Sequence, residues 1–159
     1  MRRSHLSIRG VQAQPRPFHL ATERLRPVGE IMAEGQKTIV VLTTGKQDRG
    51  TRATLALSWA CSALALGKSV SLYMTMDGTI WAMKGAAKGI QVQGFEPLQN
   101  YVDQFLALGG SILVCAPCSE YYCNFDRGKL DGSLVEGSEL VGLATVVSAT
   151  GPGCTVVTF

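Results

Sequence analysis

Three short apolar runs, each joined to the next through a helical pattern, constrain this chain more than any other feature. They are Thr38-Ile39-Val40-Val41-Leu42-Thr43, Ser69-Val70-Ser71-Leu72-Tyr73-Met74 and Ser111-Ile112-Leu113-Val114-Cys115. Runs of this length, rich in β-branched residues and bounded by polar turns, read as buried strands. Between the first two lies Gly50 to Leu66, an Ala- and Leu-rich segment stopped by Gly67, which suits a helix C-terminus. This helix is apolar nearly all round (Leu55, Leu57, Trp59, Cys61, Leu64, Leu66), so one stripe covers a sheet and the rest needs another partner.

After the second run, Asp77 is placed to cap a short helix through Thr79-Ile80-Trp81-Ala82-Met83-Lys84. Pro97 to Leu108 is a cleaner amphipathic helix, with Leu98, Tyr101, Val102, Phe105 and Leu108 on one face and Gly109-Gly110 at its end. A short helix around Ser119–Asn124, another over Gly137–Ser148, and a last strand from Cys154 to Phe159 complete the order. No internal repeat is visible. Strand alternating with helix predicts an α/β single-domain three-layer sandwich with a mostly parallel sheet of about five strands.

That domain occupies residues 38–159. Residues 1–37 form an extension that is disordered or processed; residues 1–31 show no apolar periodicity and mix Arg with Pro, Gln and His. An organellar targeting segment and a start at Met32 are the alternative readings of this stretch. The formal charge of +3 comes from the extension: residues 1–37 carry +4 and residues 38–159 carry −1. The domain therefore has no basic patch that argues for nucleic acid. No uninterrupted apolar stretch approaches the roughly 18 residues of a membrane span. Apolar residues reach 46% while charged residues are only 17%, which leads us to expect apolar surface buried between subunits.

In an open parallel sheet, ligands bind outside the carboxyl ends of the strands. Here those ends deliver Thr43-Thr44-Gly45, Thr75-Met76-Asp77-Gly78 and Cys115-Ala116-Pro117-Cys118 to one edge. Thr43-Thr44-Gly45-Lys46 lacks the full phosphate-loop pattern, and a nucleoside triphosphate site is rejected. Of five cysteines (Cys61, Cys115, Cys118, Cys123, Cys154), three crowd into nine residues. An odd count with no visible signal peptide favours a reducing, cytoplasmic setting with reactive or metal-binding thiols over a disulfide framework.

Cys115 ends its strand before a helix, where the positive end of the dipole and unpaired N–H groups favour the thiolate. Three chemistries are open to it. The thiolate can accept sulfur as a persulfide; Cys115 and Cys118 can form a disulfide; or Cys115, Cys118 and Cys123 can bind zinc, for which no fourth ligand is evident. A thioredoxin-type fold is disfavoured, because Cys-x-Pro-Cys falls late in the chain. Cys61 and Cys154 read as packing residues, and Trp81, Tyr121 and Tyr122 as candidate pocket walls.

The opening strand with its polar loop, the Ala/Leu-rich helix, Leu72-Tyr73-Met74-Thr75-Met76-Asp77-Gly78, and Gly109-Gly110 before the strand ending in Cys115 occur in an order that resembles the DsrE/DsrF-like family. The resemblance covers about residues 38–159. It implies a flavodoxin-like α/β layer, homo- or hetero-oligomers, and, in sulfur-relay members, a cysteine after the third main strand that carries sulfur as a persulfide. That position corresponds to Cys115; the added Cys118 and Cys123 leave Cys118 as the other candidate. Many relatives lack the cysteine, so membership alone does not establish transfer.

The expected function is thus a sulfur carrier or sulfurtransferase subunit, with protein donors and acceptors of sulfur as partners. Cys115 and Cys118 are its reacting groups, and Thr44, Asp77, Trp81 and Cys123 border the pocket. No organic cofactor is needed, because the cysteine itself carries the group. The rival reading is a non-catalytic oligomeric binding module of the same fold.

Overall fold

The first apolar run forms β1 (Lys37–Leu42), and its inward residues Val40 and Leu42 are fully buried. The computed structural model describes residues 36–123 and 133–159, so the readings of residues 1–31 and of Asn124 lie outside it. The chain continues through a 3-10 turn at Lys46–Asp48 into α1 (Thr51–Ala65), then β2 (Ser69–Met74). A 3-10 segment over Met76–Ala82 leads towards α2 (Leu98–Ala107) and β3 (Ser111–Cys115). The remainder is α3 (Ala116–Cys123), β4 (Ser138–Val141), α4 (Leu143–Ser148) and β5 (Thr155–Thr158).

The five strands make one sheet in the order β4-β3-β2-β1-β5, every pairing parallel. Connections after β1, β2 and β3 all step the same way along the sheet, whereas the one after β4 returns across three strands to reach β5. Because parallel crossovers are right-handed, a reversal of direction puts the connecting helix on the opposite face. Burial agrees. Val40, Leu42, Leu72, Met74, Ile112 and Val114 pack under α1 and α2, while Val146 of α4 packs with Ile39, Tyr73 and Cys115 on the other side.

Among the described residues, those two faces are unequally covered. At about 1.5 Å per residue, α4 spans about 9 Å, against about 19 Å for five strands. Val41 and Leu113 remain half-buried, and Leu143 (64% exposed), Val147 (59%) and Val156 (51%) face solvent. On the first face, α2 supplies the second partner that the all-round apolar α1 demanded, with the Cys61 thiol donating to the Tyr101 carbonyl at 3.5 Å.

Two expectations need correction. Gly137 to Ser148 is not one helix: Ser138–Val141 is an edge strand beside β3, and only Leu143–Ser148 is helical. A four-residue strand carrying Glu139 shows too little apolar alternation to be read from sequence. Asp77 does not cap a helix at Thr79. The helical segment starts earlier, at Met76, with Thr75 at its N-cap position and Asp77 inside its first turn.

Gly109 and Gly110 set the entry to β3. Gly109 has φ 82° and donates to the Leu106 carbonyl, while Gly110 donates to the Phe105 carbonyl at 2.9 Å. This is a Schellman ending. A Cβ on Gly110 would lie 2.4 Å from the Phe105 ring, so only glycine lets the strand start this close to the helix it has just left.

Candidate functional site

The site lies where β2 and β3 end. Strand alternation puts Tyr73 of β2 and Cys115 of β3 on the same sheet face, the one crossed by α4, where both are buried. The helix α3 begins at the residue after Cys115, so Cys115 occupies the N-cap position and Cys118 the third helical position. In a capping box the side chains at these two positions each reach the other residue's backbone N–H, which sets them on the same side of the helix start. Here the two sulfurs are 2.8 Å apart. Pro117 falls within the first turn, where a missing N–H leaves no helical bond unmade.

Several groups surround the pair. The Thr75 hydroxyl lies 3.5 Å from the Cys118 sulfur. Burial pushes the Cys115 thiol up, but hydrogen bonds from the Cys118 thiol, the Tyr73 phenol, the Thr75 hydroxyl and the Cys118 backbone N–H outweigh it. The net shift is downward, towards the thiolate. Tyr73 moves the other way: burial and the neighbouring Cys115 push its phenol up to about 12, so it stays a donor. Cys61, by contrast, is pushed up to about 11 by burial alone, which makes it an inert core thiol.

The structure brings together only some of the residues singled out from sequence. Cys115 and Cys118 are in contact. Cys123 is held separately: Thr79 spends its one hydroxyl proton on the Met76 carbonyl (2.8 Å), so the Cys123 thiol is the donor across the 3.6 Å to Thr79. Among the described residues, no three His, Cys, Asp or Glu side chains converge into a metal-ligand set.

Thr44, Asp77 and Trp81 form a neighbouring polar seam instead. Trp81 is buried in the core beneath α1 and α2, away from the thiol face, and its indole N–H donates to the Thr44 carbonyl at 2.8 Å. The Arg52 guanidinium donates to the Thr44 hydroxyl at 3.0 Å, and the Asp77 carboxylate accepts from the Gln47 amide. At the start of α1 the Asp48 carboxylate accepts from the N–H groups of Gly50 and Arg52, both at 2.9 Å. A side-chain anion thus occupies the place where a phosphate loop would hold phosphate.

Tyr73 is the candidate-site residue that sequence reading missed, and Thr75, though delivered to the same edge, was not singled out. An aromatic within an apolar strand reads as packing. Only the register of β2 against β3, with Tyr73 opposite Leu113 and Met74 opposite Val114, carries Thr75 to the level of Cys115.

The family model for the DsrE/DsrF-like family matches residues 36–159. An uncharacterized protein of Methanopyrus kandleri is 28% identical over 118 residues, covering 72% of this chain and 88% of that protein. An uncharacterized protein of Methanocaldococcus jannaschii is 28% identical over 109 residues, 69% of this chain but only 38% of the relative. The crystal structure of the ychN protein from E. coli is similar with a TM-score of 0.57 and 16% identity, covering 78% of this chain and 99% of that one. That likeness concerns the fold.

Proposed function

The chain belongs to the DsrE/DsrF-like family, and on that premise we propose that it is a sulfur-carrier subunit whose Cys115 accepts sulfane sulfur as a persulfide and passes it to a partner protein. The observation that carries this reading is the placement of Cys115, at the end of β3 and the head of α3 with its sulfur 2.8 Å from that of Cys118, in surroundings that lower its pKa towards the thiolate. The Cys115 thiolate attacks the outer sulfur of a donor persulfide. A new S–S bond forms on Cys115, the donor's S–S bond breaks, and the donor's own sulfur leaves as a thiolate. Transfer onward is the same exchange with Cys115 as donor. The cysteine itself is the carrier, so the step needs no organic cofactor.

Donor and acceptor proteins are the partners of this reaction. Association into a homo- or hetero-oligomer is supported by the apolar residues left exposed on the α4 side of the sheet, since parallel sheets are ordinarily covered on both faces. Light scattering after size exclusion measures it.

To test sulfur carriage, the reduced protein is incubated with a persulfide donor, alkylated, and mapped by mass spectrometry. The expected result is one added sulfur on Cys115, removed by reductant and absent from Cys115→Ser. No added sulfur on any cysteine and no sulfide released, across several donors and in Cys118→Ser as in wild type, sinks the reading.

A further inference from the structure

We propose that Cys118 is a resolving thiol, which gives this chain a second outcome: discharge of the carried sulfur as sulfide, with closure of a Cys115–Cys118 disulfide. The inference rests on the sulfur-carrier reading and concerns what happens to the sulfur afterwards.

The argument begins with helix geometry. The N-cap and third helical positions lie on the same side of the helix start, and in this chain both are thiols with sulfurs 2.8 Å apart. The sulfur that Cys118 touches is the one bonded to the Cys115 side chain. A persulfide adds its extra atom beyond that sulfur, so Cys118 faces the inner atom and not the outer one. Attack there follows one course. The Cys118 sulfur bonds to the Cys115 sulfur, the persulfide S–S bond breaks, and its electron pair leaves with the outer atom.

The proton of the Cys118 thiol goes to the departing atom, so a persulfide and a thiol become a disulfide and hydrogen sulfide. The sulfane sulfur is reduced, the two cysteine sulfurs are oxidised, and no outside oxidant is consumed. A dithiol reductant then restores the pair.

Other features favour the same pairing. Cys118 is only partly buried, so reductant can reach the closed form, and its sulfur lies 3.5 Å from the Thr75 hydroxyl. The other thiols are placed elsewhere: Cys123 donates to Thr79, Cys61 lies in the core of the opposite face, and Cys154, on the same face, precedes the start of β5, at the far end of the parallel strands from Cys115. Intramolecular attack by a thiol already in contact outpaces attack by free thiol, because orientation is prepaid. In this chain sulfur transfer therefore competes with self-discharge, and an acceptor protein must intercept the persulfide before Cys118 does.

The experiment uses the full chain as wild type, Cys118→Ser and Cys115→Ser. Each is loaded with glutathione persulfide, freed of excess donor, and followed for sulfide release and for cysteine state by peptide mapping. Wild type should release sulfide in step with Cys115–Cys118 disulfide, while Cys118→Ser keeps its sulfur on Cys115 at least about tenfold longer. Equal lifetimes in wild type and Cys118→Ser overturn the resolving role while leaving sulfur carriage intact. A second arm does not depend on loading: limited oxidation of the reduced protein with diamide should yield the Cys115–Cys118 disulfide before any other pairing. If Cys118 pairs elsewhere or stays reduced, the inference fails whatever the donor result; if loading alone fails, it is the carrier reading that falls.

Discussion

Tyr73 and Cys115 stand on neighbouring parallel strands, buried in one cluster on the same sheet face, and each shifts the other's acidity in the opposite direction. A buried phenol that keeps its proton to about 12 is a permanent donor at the pH where Cys115 ionises. Removing it with Tyr73→Phe preserves the packing and deletes only the donor. Alkylation of Cys115 in the native protein should titrate with a midpoint below the ordinary thiol value of 9.0. In Tyr73→Phe that midpoint should move upward, and the rate at neutral pH should fall by about threefold to tenfold. An unchanged alkylation profile would show that the phenol only packs.

Alkaline stability follows from the two groups whose acidity burial weakens. Cys61 rises from 9.0 to about 11 and Tyr73 from 10.0 to about 12 on folding. A folded-state value above the unfolded one means that the folded chain holds its proton longer. The stabilisation is complete below the unfolded value and is lost as pH climbs through the folded one. Stability should therefore fall from pH 9 upward, by about 2–3 kcal/mol from Cys61 alone once pH passes its folded value. Urea melts across that range, compared with Cys61→Ala, separate the contribution: the variant should lose less stability between pH 9 and 11 than wild type.

Trp81 fastens the loop after β1 through its bond to the Thr44 carbonyl and fills the core on the face away from the thiols. Trp81→Phe should cost about 2–4 kcal/mol, combining an unpaired buried carbonyl with lost volume. The Cys115 alkylation profile should stay as in wild type. A shifted profile would mean that the two faces are coupled through the sheet.

Gly78 crosses the end of β1 so closely that a Cβ there would lie 2.4 Å from the Leu42 carbonyl oxygen. Backbone cannot yield as a flexible side chain does, so Gly78→Ala should lose about 3 kcal/mol or more, or fail to fold. Gly151, whose Cβ would meet nothing within 4 Å, is the control. Comparable thermal midpoints for Gly78→Ala and Gly151→Ala would contradict the close approach.

The sequence by itself determined the class of fold, because that depends on local information. Periodicity located β1, α1, β2, α2 and β3 to within a residue or so, and the glycines after α1 and α2 marked where each helix stops. It also determined that a thiol would stand at a strand end before a helix, since Cys115 and the turn after it are adjacent in the chain. Only the tertiary structure decided which side chains surround that thiol. Tyr73 and Thr75 reach Cys115 through strand register, a property of the pairing between segments some forty residues apart and not of either segment alone. The same holds for β4, whose four residues are a strand only because β3 offers them an edge. It holds also for Trp81, whose indole N–H satisfies the Thr44 carbonyl, thirty-seven residues earlier, from within the core beneath α1 and α2. Periods of two and of 3.6 are written in neighbouring residues, whereas hydrogen-bond partners across a sheet are chosen by the face and register the folded chain selects.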